Sequence, residues 1–154
     1  MVTSGLGGRP GARGENGSVI VLDASAAAAL LLNQPHGRAI AELLAGQEVA
    51  APELLGVELL SVLRGWVRGK GLDPARAQDA LVDLEDLGIV WYSERPILRV
   101  AWALRDRASA YDAIYLALAR TLSTPEREVR VLTLDERLAR AWPELTQVPA
   151  STDR

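Results

Sequence analysis

Four short strand-like runs, at residues 19–22, 49–51, 89–92 and 128–132, are separated by segments long enough to form helices. Strands joined through helices pair in parallel, because a parallel connection has to cross back over the sheet. The spacing predicts helices over 24–33, 37–45, 52–69, 74–88, 97–107, 110–122 and 135–141, with a last short strand near Val148. Local chemistry supports several of these boundaries. Pro52 is well placed for a first helical turn, Asp73-Pro74 reads as an N-cap followed by proline at the first helical position, and Gly46 closes the second helix. The expected fold is therefore α/β, with a short central parallel sheet between two helical layers.

Composition narrows the chemistry. The chain has 154 residues, 49% of them hydrophobic, which fits one globular domain and excludes global disorder. Residues 1–17 are Gly-rich and read as a flexible tail; the domain is expected over 18–149, and 150–154 form a short C-terminal tail. The absence of cysteine excludes a disulfide scaffold, a thiolate metal site and a cysteine nucleophile, and it fits a reducing cytoplasm. The one histidine, His36, lies in a polar turn, so Ser-His-Asp hydrolysis and multi-imidazole zinc sites are poor candidates. Charges interrupt every apolar stretch, and no membrane span is expected. A formal net charge of -3 argues against a globally basic nucleic-acid binder but leaves room for local arginine contacts to phosphate.

Four acids lie in or against apolar sequence, where an unpaired carboxylate is costly: Asp23, Glu58, Asp112 and Asp135. Each also has a structural reading. Asp23 ends a strand and opens a helix, as an N-cap does. Glu58 sits at the border of an apolar arc made by Leu55, Leu59, Val62, Leu63 and Trp66, with no Lys or Arg four residues away on either side. Ser109 and Asp112 fit a capping box. Thr133 and Glu136 fit another, which would leave Asp135 as a favourable first-turn acid. Two of the four end strands and two lie on helices that pack nearby, so the fold can gather them. A converged set would be a hard oxygen pocket suited to Mg²⁺ or Mn²⁺.

The runs VIVLDASAAAALLL, APELLGVELLSVLRGWVRGKGL, RDRASAYDAIYLALA and VLTLDERLARA, taken in this order, resemble a PIN domain, nearest to the VapC toxins of toxin–antitoxin pairs. The resemblance covers about residues 19–142. It implies a three-layer α/β/α fold and Mg²⁺- or Mn²⁺-dependent hydrolysis of RNA phosphodiesters by a metal-activated water. It places the catalytic, metal-holding acids on Asp23, Glu58, Asp112 and, with more variation across the family, Asp135. Ser25 and Thr133 become supporting hydroxyls. A homodimer and a VapB-type antitoxin are the implied partners, with the apolar faces of 55–66 and 102–104 as candidate interfaces. Arg64, Arg68, Arg105 and Arg107 are candidate RNA contacts.

Two other readings compete. A receiver-type phosphate module also carries acids at strand ends, but it needs a lysine after a late strand, and the only lysine, Lys70, lies in a turn between helices. A catalytically silent PIN-like module that binds RNA or protein would keep the fold without the cleavage.

Overall fold

The structure, a computed structural model, describes residues 17–150. The expected tails, 1–17 apart from Gly17 and 150–154 apart from Ala150, lie outside the described residues. Five strands form one sheet: β1 (Val19–Leu22), β2 (Glu48–Pro52), β3 (Val90–Tyr92), β4 (Arg130–Leu132) and β5 (Thr146–Gln147). All pairings are parallel, in the order β3-β2-β1-β4-β5. The edge strands β3 and β5 are short, which limits the unpaired backbone they offer to other chains.

Side-chain alternation along β1 divides the core. Val19 and Val21 face one helical layer with Ala50, Val129 and Val131, whereas Ile20 and Leu22 face the other with Val49, Ala51 and Leu132. All four residues of β1 are buried, as a strand covered on both faces requires. Helices α1 (Ala24–Leu31), α2 (Gly37–Leu44), α3 (Leu54–Arg68) and α4 (Pro74–Asp86) contribute to the second cluster. Helices α5 (Leu98–Trp102), α6 (Ala110–Leu122) and α7 (Glu136–Ala141) contribute to the first. The result is the expected three-layer α/β/α sandwich. Among the described residues no helix is long and apolar enough to cross a membrane.

The alanine run of α1 lets α2 approach closely. A Cβ on Gly37 would stand 2.8 Å from the Ala29 carbonyl oxygen, so glycine is required there for steric reasons. Gly46, with φ +75, turns the chain after α2 as expected.

Most boundaries fall within two residues of the sequence expectation, and three differences are informative. Pro52 does not open α3: it pairs with Tyr92 as the last residue of β2, and the helix starts at Leu54. The predicted helix 97–107 is shorter, a 3₁₀ turn at Arg95–Ile97 followed by α5, because from Leu104 to Arg107 the backbone bonds reach three residues back and the chain folds into turns. The last strand is Thr146–Gln147 and excludes Val148.

Candidate active site

From β1 the sheet extends through β2 and β3 in one direction and through β4 and β5 in the other. The switch falls between β1 and β4, and ligands of open α/β sheets bind beyond the carboxyl ends of such strands. Asp23 follows β1 there, and its N–H donates to the Leu132 carbonyl at the end of β4 (3.3 Å).

Asp23 is 7% exposed. Its Oδ1 accepts from the Ala26 N–H (3.0 Å) and from the Ser25 hydroxyl (2.7 Å). The capping and site readings are therefore compatible: the oxygen that caps α1 is Oδ1, and the carboxylate keeps its charge for a ligand. Burial raises the Asp23 carboxyl above its ordinary value, hydrogen bonds from Thr133, Ala26 and Ser25 act against that, and the Asp112 charge adds to the rise.

Ser25 and Thr133 tie the two strand ends together. The Ser25 Oγ accepts from the Leu134 N–H (2.9 Å) and lies 3.4 Å from the Thr133 Oγ1, which accepts from the Asp135 N–H (3.0 Å). Thr133 is fully buried. Both hydroxyls thus hold the backbone at the two strand ends.

Glu58 is half-buried on α3, at the border its sequence spacing predicts. Its partner is Tyr115 of α6, whose hydroxyl donates to Oε2 (2.9 Å). Burial raises the Glu58 carboxyl, Tyr115 opposes this, and the charges of Asp23 and Asp112 reinforce it. Burial first, then the charges of Glu58, Asp23 and Glu94, push the Tyr115 phenol far above its ordinary range, so it stays a donor. Asp112 stands in the first turn of α6, where Ser109 accepts from the Asp112 N–H (3.2 Å). That cap leaves the Asp112 carboxylate uncommitted.

Asp23, Glu58 and Asp112 are thus one electrostatically coupled set. Among the described residues none of them takes part in an ion pair. An all-oxygen set with no cationic partner and with uncommitted oxygens fits a hard divalent ion. The side chains are not drawn into a closed ligand shell: among the described residues no group of three or more acids or histidines stands close enough together to hold a metal.

Asp135 differs. It is the N-cap of α7 itself, with Oδ1 accepting from the N–H groups of Arg137 (2.9 Å) and Leu138 (3.1 Å). This corrects the expected Thr133–Glu136 capping box, because Thr133 is still in the strand exit and its hydroxyl serves Asp135 and Ser25. Asp135 is also not among the charges acting on Asp23 or Glu58. Asp135→Ala is expected to lower stability by about 1 kcal/mol and Asp135→Asn by much less, since Asn caps as well as Asp. Urea unfolding midpoints with unchanged slopes would check this.

Sequence reasoning missed Tyr115 and Glu94. Tyr115 looked like one more apolar residue of α6, although its i, i+3 spacing from Asp112 puts both on one side of the helix. Glu94 lies in the β3–α5 connection, and its Oε1 accepts from the Leu54 N–H (2.6 Å), satisfying a free donor at the start of α3. No local motif announces that bond, which spans 40 residues.

The four arginines have separate settings. Arg64 and Arg68 are exposed on α3. Arg105 lies over the Trp102 ring (4.9 Å). Arg107 stacks on Trp142 (4.3 Å) and donates to the Ala141 carbonyl (2.6 Å), a bond that fastens α7. A groove of about 590 Å³ lies between α5 and the start of α6, with Leu54, Glu94, Leu98, Trp102, Tyr111 and Ile114 among its lining residues and none of the three coupled acids.

A parallel α/β/α sandwich with an acidic cluster at its switch point is the class of protein that fold and site define. The chain belongs to the PIN domain family, whose family model matches residues 20–142. It is similar to Ribonuclease VapC12 of Mycobacterium tuberculosis, 33% identical over 123 residues, covering 80% of this chain and 92% of that protein. Ribonuclease VapC3 of the same species is 35% identical over 125 residues, covering 80% and 88%. The crystal structure of PAE2754 from Pyrobaculum aerophilum shares the fold, with a TM-score of 0.61 at 22% identity, covering 80% of this chain and 79% of that one.

Proposed function

We propose that this chain is a Mg²⁺- or Mn²⁺-dependent endoribonuclease, the toxin member of a VapBC-type toxin–antitoxin pair. The observation that carries the reading is the coupling of Asp23, Glu58 and Asp112, which repel one another and, among the described residues, take part in no ion pair. The similarity to proteins named Ribonuclease VapC supports RNA as the substrate.

Asp23, Glu58 and Asp112 would hold the ion, and Asp135 is a fourth candidate. Such an ion supplies the positive charge that makes hydroxide accessible near neutral pH and stabilises negative charge developing on phosphate oxygens. The chain's own residues prepare that place. Ser25 and the Ala26 N–H fix Asp23 through Oδ1, Tyr115 fixes Glu58 through Oε2, and Thr133 holds the adjoining strand exit. Arg64, Arg68 and Arg105 are exposed candidates for the RNA backbone.

The partner reading rests on exposed apolar surface. Leu55, Leu59, Leu63 and Leu104 are taken by the core, so the faces left for a VapB-type antitoxin or a second copy are Val57 with Leu60 on α3, and Leu98 with Trp102 beside Tyr111. The function is tested by incubating total RNA with the purified chain. Cleavage is expected with Mn²⁺ or Mg²⁺ and loss of cleavage with EDTA. Binding of RNA without cutting under every metal condition would favour the silent module instead.

A further inference from the structure

We infer that Tyr115 is a positioning residue for the acidic site, holding the Glu58 carboxylate toward the ion through its hydroxyl; this rests on the metal-dependent reading above. Glu58 reaches the site on a flexible side chain, and α3 offers it no Lys or Arg at helical spacing. Left alone, a half-buried carboxylate with that freedom would turn toward water. Tyr115 prevents this from the opposite helical layer. Its ring is 3% exposed and packed among α6 core residues, so the hydroxyl is presented from a locked side chain.

Three relations make the contact more than a tie between helices. Tyr115 lies three residues after Asp112 on α6, so one helix supplies an acid and also the donor that aims a second acid from α3. The bond uses only Oε2 of Glu58. One oxygen is anchored and the other is left for a ligand, the arrangement by which supporting groups orient metal ligands. Finally, α3 is itself held at its first turn by Glu94, which bonds the Leu54 N–H one turn before Glu58. The backbone and the tip of Glu58 are thus fixed independently.

Tyr115→Phe deletes the hydroxyl and keeps the ring. Mn²⁺ affinity measured by calorimetry on the full chain is expected to fall ~10-fold or more, within the range lost when supporting residues of metal sites are changed. In a Glu58→Gln background the same change is expected to have no further effect, because its route runs through the carboxylate. Cleavage of an RNA oligonucleotide by Tyr115→Phe is expected to recover as Mn²⁺ is raised. Circular dichroism and the urea midpoint of each variant, taken without metal, report folding separately.

Equal Mn²⁺ affinity in wild type and Tyr115→Phe would overturn the inference while leaving the metal reading intact. An equal loss from Tyr115→Phe in the presence and absence of the Glu58 carboxylate would also overturn it, showing a general packing effect. Wild type that binds no Mn²⁺ would remove the metal reading and the inference with it.

Discussion

Asp23→Asn is expected to abolish RNA cleavage while leaving the metal-free fold at least as stable as wild type. The two effects separate because the hydrogen bonds of Asp23 hold the fold while its charge serves the ligand. Asn keeps an acceptor for the Ala26 N–H and the Ser25 hydroxyl, and it caps helices as well as Asp does. It removes the negative charge that burial and Asp112 oppose. The activity loss is expected to be on the order of 100-fold or more, since even residues that only support a metal ligand cost ~10–100-fold. Initial rates on total RNA, beside thermal unfolding in EDTA, measure both effects. Cutting that survives unchanged in Asp23→Asn would point to a contaminating nuclease and sink the assignment.

Divalent metal is expected to raise the melting temperature, and more strongly at neutral than at acid pH. The sign follows from the raised carboxyls. A group whose folded-state pKa lies above its unfolded value contributes stability that is fully present below the unfolded value and is lost as pH rises through the folded one. For Asp23 and Glu58 that loss begins near their ordinary values of 3.8 and 4.5 and extends upward. The metal-free protein therefore bears more of the cost of two crowded carboxylates at neutral than at acid pH, and a cation relieves it. At Mn²⁺ about 100-fold above its Kd, linkage gives ~2.7 kcal/mol, or ~5–10 °C for a domain of this size. Scans from pH 5 to 8, with Mn²⁺ or EDTA, check the size and direction. A melting temperature indifferent to Mn²⁺ at neutral pH would count against a cation site. Asp23→Asn should flatten the pH dependence in EDTA.

The legibility of the site varied by residue for physical reasons. Asp23 could be found because a buried strand that ends on an acid is unusual, and the same holds for Asp112 inside an apolar helix. Glu58 was visible as a border acid with no helical partner, and its partner was invisible because it arrives from another layer. Asp135 illustrates the opposite case. Its sequence context fits a first-turn acid behind a Thr133 cap as well as a ligand, and the structure shows Asp135 itself as the cap. Pro52 misled because proline suits both a first helical turn and the last residue of a strand. Only the pairing of Pro52 with Tyr92 separates the two.

The sequence by itself determined the layers: apolar runs of strand length between amphipathic helices require a parallel sheet covered on both faces, and this follows from local periodicity and burial alone. It also determined the chemistry on offer, carboxylates and hydroxyls without thiols or clustered imidazoles. What tertiary structure decided was which carboxylates meet. The order β3-β2-β1-β4-β5 sets Asp23 at the switch point, brings α3 and α6 to it from opposite layers, and gives Glu58 its donor in Tyr115. Those contacts join residues 57 apart in the chain, so their energies depend on packing geometry that no local pattern encodes.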